Sequence, residues 1–306
     1  LAVGENAENE PMMTVERFSA NVELLPFLSG EVRIVDMALD SPVFNLEIDD
    51  AGKIAWTERQ ESVVDPDQVK LDSLKITNAA FNLKGIDPDR VIRGEKISAN
   101  VSALSLYGPW TISGAGIVDG QESQFEIGTG RLSDDQSVRL KTRMIRLDKP
   151  YELAADGVVS LKNNILSWGG KFDLRPVNGK DVRLASGTVA ALPVAISGDF
   201  TLDPTELTLP EYRIDIGSPE DPYSLTGIGR AQLKGGVDFQ LQIDGRQIDI
   251  NRIAKMREGE SAVANSMKER IALFGEILEQ VPVPPFKGQI DIEIPAIIAG
   301  DTFIRE

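Results

Sequence analysis

The chain contains no cysteine and no histidine among its 306 residues. Without cysteine it can form neither a disulfide framework nor a thiolate metal site, and redox chemistry does not indicate its compartment. Without histidine it lacks the commonest general base, the commonest zinc ligand and every histidine-activated nucleophile. These absences remove most hydrolase mechanisms, so we predict that the chain is not an enzyme and needs no metal or cofactor.

Basic residues and aromatic residues are also few. The chain has 32 lysines and arginines but 48 acidic residues, which gives a formal net charge of −16, and aromatic residues make up 6% of the chain. The electrostatic field of this negative charge repels phosphate backbones and anionic bilayer surfaces, so we expect no nucleic-acid partner. Trp56, Trp110 and Trp168 could stack on sugars, but each lies beside a turn or strand start, where a packing role is commoner.

No long hydrophobic run predicts a membrane helix. The longest uncharged stretch, Ile97 to Val118, is interrupted by serines, a proline and three glycines. The first residue is Leu1 rather than methionine, and we expect that a targeting or anchoring segment has been removed ahead of it.

Apolar residues alternate with polar ones along most of the chain. In the stretch Val237 to Asp244 every second residue is apolar and every other one is polar, which predicts a strand with one buried face. Turn sequences such as Asp49 to Gly52, Val118 to Gly120, Lys162 to Asn164 and Lys234 to Gly236 recur with the rhythm of meandering hairpins. We predict a mostly β protein with roughly sixteen to twenty strands in one long, repetitive antiparallel sheet.

Two kinds of internal repetition support this prediction. The segment Ile34 to Leu46 matches Leu71 to Leu83, including a shared Phe-Asn-Leu, and Glu16 to Val22 matches Glu95 to Val101. A proline followed by a glycine-containing strand also recurs, for example at Pro109 to Gly114, Pro150 to Gly157, Pro193 to Gly198, Pro222 to Gly227 and Pro285 to Gly288. Because proline is tolerated at a strand's first residue and glycine permits a bend, these strands predict a curved sheet that forms an apolar groove.

One segment has a helical rather than a strand period. From Ser261 to Val281, apolar residues recur at intervals of three and four, which predicts one amphipathic helix that ends before Pro282. Its polar side is not basic, so we expect the helix to cap the sheet through its apolar side instead of lying on a membrane. That apolar side carries Met267, Ile271, Phe274 and Leu278.

The domain organisation follows from these patterns. Residues 1–12 are polar and acidic and are predicted to be a linker, whereas residues 13–306 are predicted to form one repeated β domain with possible sub-blocks 13–107 and 108–306.

The beginning of the chain resembles the opening module of AsmA family proteins. The resemblance rests on Val15 to Ile34, with Leu-Leu-Pro-Phe-Leu before Gly-Glu-Val, on the Leu39 to Pro42 step, and on the turn Asp50 to Trp56 that closes on tryptophan. Ala55 departs from the family pattern, which usually has asparagine before that tryptophan. Gln247 to Ile253 is similar to a short family segment of alternating acidic and aliphatic residues.

The resemblance implies a non-enzymatic protein of the bacterial envelope, anchored in the inner membrane ahead of residue 1 and projecting into the periplasm. It implies a role in phospholipid transport or outer-membrane maintenance, with a groove that binds phospholipid or another acyl-chain lipid. From strand parity we expect the groove to be lined by Phe44, Leu46, Phe81, Leu83, Val237, Phe239, Leu241 and Ile243. The alternative is a structural or adhesive envelope module that fills this face with its own side chains and binds a protein partner through its sheet edges.

Overall fold

A computed structural model describes most of the chain. The described residues are 2–3, 11–48, 65–87, 90–147, 151–162, 165–177, 194–216, 220, 222–234, 238–245, 248–249, 287–293, 295–299 and 302–305.

The described residues form strands almost throughout. The first ten strands are β1 (Ala2–Val3), β2 (Met13–Thr14), β3 (Arg17–Glu23), β4 (Val32–Asp40), β5 (Val43–Glu47), β6 (Val69–Asp87), β7 (Arg90–Ala103), β8 (Trp110–Val118), β9 (Gln121–Thr129) and β10 (Ser137–Arg146). The others are β11 (Tyr151–Lys162), β12 (Ile165–Pro176), β13 (Val194–Leu202), β14 (Glu206–Ile216), β15 (Tyr223–Gln232), β16 (Asp238–Asp244), β17 (Ile248–Asp249), β18 (Lys287–Glu293), β19 (Ala296–Ala299) and β20 (Thr302–Arg305). A four-residue helix, α1 (Leu24–Phe27), joins β3 to β4, and a 3-10 turn, Pro66–Gln68, precedes β6.

One large, open and curved sheet contains most of these strands. From β6 to β16 each strand pairs antiparallel with the next one along the chain. Beyond β6 lie β4 and then β3, and beyond β16 lies β18. The short β17, β19 and β20 form a separate three-stranded sheet. The mostly β, mostly antiparallel fold predicted from the sequence is therefore confirmed.

Local sequence explains how the meander turns. Asp119 and Gly120 have φ angles of 50° and 78°, which suits the tight hairpin between β8 and β9 that their sequence predicts. Strands β8, β11, β13 and β15 each begin at the residue directly after a proline. Proline has no N–H to donate to a ladder, so it marks the strand start without breaking the sheet.

The first repeat forms a parallel pair. Strands β4 and β5 lie beside β6 with a constant offset of 37 positions, so that Ile34 faces Leu71 and Asn45 faces Asn82. The turn sequence from Asp49 to Gly52, where a hairpin is expected, lies outside the described residues. The two copies of the repeat are stacked in register.

The core consists of two clusters on the same face of the sheet. One is centred on Leu71, Val101 and Ala103 near the N-terminal end, and the other on Val194 and Tyr212 near the other end. In addition, β7 pairs with β8 across the possible boundary at residue 107, so one sheet runs through both sub-blocks. Part of the expected linker also pairs, because Ala2 and Val3 lie against β2.

The predicted helix from Ser261 to Val281, with Met267, Ile271, Phe274 and Leu278, lies outside the described residues. None of the helices in the described part of the chain has the length and hydropathy needed to cross a bilayer.

Candidate functional site

Strand register assembles a single apolar face. Residues that pair across neighbouring strands point to the same side of the sheet, so a row can be followed from strand to strand. One such row crosses twelve adjacent strands and consists of Phe18, Leu39, Ile76, Ala99, Gly114, Phe125, Met144, Leu153, Leu174, Ile196, Ile214 and Leu225. Every member is apolar or glycine, and we call the side of the sheet that carries this row the apolar face.

The row one residue away has the opposite character. It consists of Ser19, Ala38, Lys75, Asn100, Ser113, Glu126, Arg143, Ala154, Asp173, Ser197, Arg213, Thr226, Asp244 and Glu293, and it defines the polar face. Along these two rows the alternation seen in single strands is kept in register from strand to strand. Twelve strands at a spacing of about 4.8 Å make an apolar row roughly 50 Å long.

Seven of the eight predicted groove residues can be placed, and all seven lie on the apolar face. Phe44 faces Phe81 and Leu46 faces Leu83 across the parallel pair of β5 and β6. Phe239, Leu241 and Ile243 lie together on β16, at the far end of the sheet. The two groups are therefore on one face but at opposite ends of it, and Val237 lies outside the described residues.

Burial separates these residues into two kinds. Phe239 is only 5% exposed, and its ring covers Gly288 of the neighbouring strand, so it belongs to the core. Leu241 and Ile243 are half-buried against the second core cluster, and the four residues of β5 and β6 are also half-buried. Phe239 is thus the least accessible of the predicted groove residues that are described.

Glycines shape the apolar face. The ring of Phe81 lies over Gly94 and the ring of Tyr212 lies over Gly227, and a Cβ at either glycine would overlap the ring. Aromatic rings laid over glycines on neighbouring strands are a known way to protect a glycine within a sheet. At Gly94 and Gly227 the apolar face is therefore covered by an aromatic ring from the neighbouring strand.

Polar residues on the apolar face are concentrated in the middle of the sheet. Among the described strands they lie on β9 and β10, and they are Gln121, Ser123, Thr129, Thr142 and Arg146. The two core clusters lie on either side of this zone.

An ion-pair network occupies the polar face of β10, β11 and β12. Glu152 has a side chain that is only 7% exposed, and its carboxylate accepts from Arg143 at 2.7 Å and from Arg175 at 3.0 Å. Hydrogen bonding to Arg143 is the main reason why the pKa of Glu152 lies below its ordinary value, against the opposing effect of burial. Nearby, two hydrogen bonds from Arg139 lower the pKa of Asp156 to about 2.

A shallow depression of about 730 Å³ opens on this polar face, between β8 and β13. Most of its lining residues belong to two adjacent polar-face rows, including Glu126, Lys141, Asp156, Lys171 and Asp173. Lys141 lies 3.2 Å from Asp156 and Lys171 lies 3.1 Å from Asp199, so opposite charges neutralise each other along the rows. Most of the surface that lines the depression is nevertheless apolar.

The described tryptophans take packing roles, as their positions predict. The ring of Trp168 meets the ring of Phe200 edge-on at 4.9 Å, and the indole N–H of Trp110 donates to the carbonyl of Leu106 at 3.2 Å. Trp56 lies outside the described residues.

Comparison with known proteins finds no matching family model, no matching curated protein and no matching solved structure. The assignment of function therefore rests on the residues and on the sheet they form.

Proposed function

We propose that this chain is a non-enzymatic lipid-binding scaffold, in which the apolar face holds the acyl chains of phospholipid or another lipid. The observation that supports the proposal best is the unbroken row from Phe18 to Leu225 across twelve strands. Large apolar patches are seldom left exposed on a monomer, so the parts of this row that the protein's own side chains leave open, such as Phe18 and Leu153, need a cover. Acyl chains are a cover that matches its chemistry and its elongated form.

The energetic role of such a face is to lower a barrier. Exposing an acyl chain to water costs about 0.8 kcal/mol for each methylene, so a free lipid faces a barrier on the order of ten kcal/mol. As the lipid moves along the apolar face, contacts with its side chains replace most of the contacts that the acyl chain loses when it leaves the bilayer. Because bilayer and face are similarly apolar, the face supplies a route and not a direction.

The resemblance of Val15 to Trp56 to the AsmA module places this role, as part of the proposal, in the bacterial envelope. In the full-length protein the sheet would project into the periplasm from an inner-membrane anchor and contribute to phospholipid transport or outer-membrane maintenance. The predicted helix from Ser261 to Val281 would cap part of the apolar face.

A structural or adhesive module is the second candidate. It is favoured by the second core cluster, where Val194 is 1% exposed and Tyr212 is 4% exposed, so that this part of the face is filled by the protein's own side chains. In that case the apolar face would bind no lipid, and protein partners would bind at the sheet edges.

Native mass spectrometry of the chain, purified from cells without a delipidation step, separates the two candidates. The lipid proposal predicts adducts with phospholipid masses that are released by collisional activation. Ile127→Ser, at a half-buried position on the apolar face, should reduce the adducts, whereas Glu126→Gln on the polar face should not. Protein that carries no lipid under these conditions would support the structural module.

A further inference from the structure

Two strands at opposite ends of the large sheet have an outer edge without a backbone partner among the described residues. Strand β3 pairs with β4 alone, and β18 pairs with β16 alone. Both strands are seven residues long, and almost all their residues are exposed. Strand β20 pairs with Ala296–Ala299, in the separate small sheet. Open edges of this kind accept a further strand through main-chain hydrogen bonds.

The directions of the two edge strands are complementary. Ten antiparallel steps connect β6 to β16, so these two strands run in the same direction. Strand β4 is parallel to β6 and β18 is parallel to β16, whereas β3 is antiparallel to β4. A second copy placed beside the first in the same orientation therefore brings its β3 antiparallel to β18, with both apolar faces on one side.

We propose that copies of this chain associate end to end by pairing β3 of one copy with β18 of the next. When the seven residues of each strand overlap fully, facing residues match in character on both faces. On the polar face the facing pairs are Lys287 with Glu23, Gln289 with Asn21, Asp291 with Ser19 and Glu293 with Arg17; on the apolar face they are Gly288 with Val22, Ile290 with Ala20 and Ile292 with Phe18.

The charges at both ends of this junction continue patterns already present in the sheet. Glu293 lies beside Asp244 in the parallel pair, a like-charge contact that Arg17 of the incoming strand would relieve. At the other end Arg33 contacts Asp72 at 2.9 Å and Glu23 at 3.3 Å, so Lys287 would extend an alternating ladder. Opposite charges in facing positions favour one register, and like charges disfavour the others.

The internal repeat gives a second, independent reason. Ser98 to Val101 of β7 has the same sequence as Ser19 to Val22 of β3. In β7 this sequence is paired on both edges by antiparallel strands, β6 and β8. The sequence of β3 is therefore one that accepts a strand on each side.

The proposed contact is heterologous, so it does not close and copies can add at both ends. It would extend the apolar face from one copy to the next, but it does not depend on lipid being bound. The lengths of the two strands limit the junction to seven residue pairs. A junction of this size is small, and we expect a weak, concentration-dependent association.

Sedimentation velocity at increasing protein concentration, in about 150 mM salt so that the net charge is screened, tests the proposal. The wild-type chain should form dimers and then larger species. Arg17→Glu and Glu293→Arg should each weaken association at least about tenfold, because like charges then face each other. The two variants mixed in equal amounts should associate again, since each junction between one variant and the other joins opposite charges.

Arg230→Glu, at an exposed position on the interior strand β15, is the matched control and should associate as the wild type does. Far-ultraviolet circular dichroism checks that each variant is folded. A wild-type chain that remains monomeric up to high micromolar concentration, or an Arg17→Glu variant that folds and still associates normally, would overturn the proposal. Bound lipid measured in the same samples is expected to be unchanged, so the loss of association is read separately from the loss of lipid.

Discussion

Phe44 and Phe81 lie side by side on the apolar face, 37 residues apart in the chain and in adjacent parallel strands. Asn45 and Asn82, the next residues of the same repeat, face each other on the opposite side, where the amide of Asn82 donates to the side-chain oxygen of Asn45 at 2.9 Å. Equivalent residues of the two copies of the repeat therefore lie beside each other in adjacent strands. The same parity separates the apolar row from the polar row that cross the sheet beside each other.

The contact between Phe81 and Gly94 predicts coupled substitutions. Gly94→Ala should destabilise the fold by about 1–3 kcal/mol, because the new methyl group overlaps the ring. Phe81→Ala should cost about 2 kcal/mol through lost packing. The double variant should be more stable than the sum of the two predicts, by about 1 kcal/mol, because the small side chain removes the overlap. Urea unfolding of the four proteins measures this, and strict additivity would argue against the contact.

Much of this arrangement could be predicted from the sequence, because it depends on parity and repetition. The Phe-Asn-Leu repeat, the strands that begin after proline and the alternation in β16 all describe local backbone geometry. The parallel pairing of β5 with β6 could not be predicted, since the sequence of a strand says little about which partner strand it selects. The covering of Gly94 by Phe81 depends on register between strands, which no single strand encodes.

The ion pairs around Glu152 could not be predicted from the sequence for a similar reason. Glu152, Arg143 and Arg175 lie on three different strands and are ordinary charged residues in the sequence. Only the register of β10, β11 and β12 brings them together and buries the carboxylate.

Glu152→Gln should destabilise the fold at neutral pH by about 1–3 kcal/mol, a value reduced because both arginines remain partly exposed. The pKa of Glu152 is lower in the folded state than its ordinary value of 4.5. Its contribution to stability is therefore present above about pH 4.5 and is lost as the pH falls through the lower folded pKa. Unfolding measured at pH 7 and at progressively lower pH should show the difference between wild type and variant shrinking. A difference that persists at the lowest pH would show that packing, not charge, is what the substitution removed.

Tyr212→Phe should destabilise the fold by about 1 kcal/mol, because the hydroxyl donates to the carbonyl of Gln242 at 2.9 Å across the intervening strand. Burial raises the pKa of Tyr212 from 10.0 to about 12. The contribution of this residue is therefore intact below pH 10 and is lost as the pH rises through about 12. The alkaline fall in stability should be smaller in the phenylalanine variant. Identical alkaline curves for the two proteins would contradict the buried hydrogen bond.

Polar substitutions should separate core positions from accessible ones on the apolar face. Phe239→Ser should unfold the chain or cost several kcal/mol, because Phe239 is 5% exposed and covers Gly288. Leu241→Ser, at a half-buried position on the same strand, should remain folded and bind less lipid. Thermal unfolding and lipid extraction of both variants provide the comparison. Loss of folding in both would favour the structural module over the lipid scaffold.

Lipid should contact one face of the sheet and not the other, and a photo-crosslinking scan by strand parity can show this. A photoreactive amino acid is placed in turn at Ile112, Ser113, Phe125, Glu126, Gln240 and Leu241, and the protein is irradiated in cells before lipid adducts are measured by mass spectrometry. The account predicts phospholipid adducts at Ile112, Phe125 and Leu241, which lie on the apolar face, and none at Ser113, Glu126 and Gln240 on the polar face. Adducts that ignore this parity, or that are absent at all six positions, would contradict it.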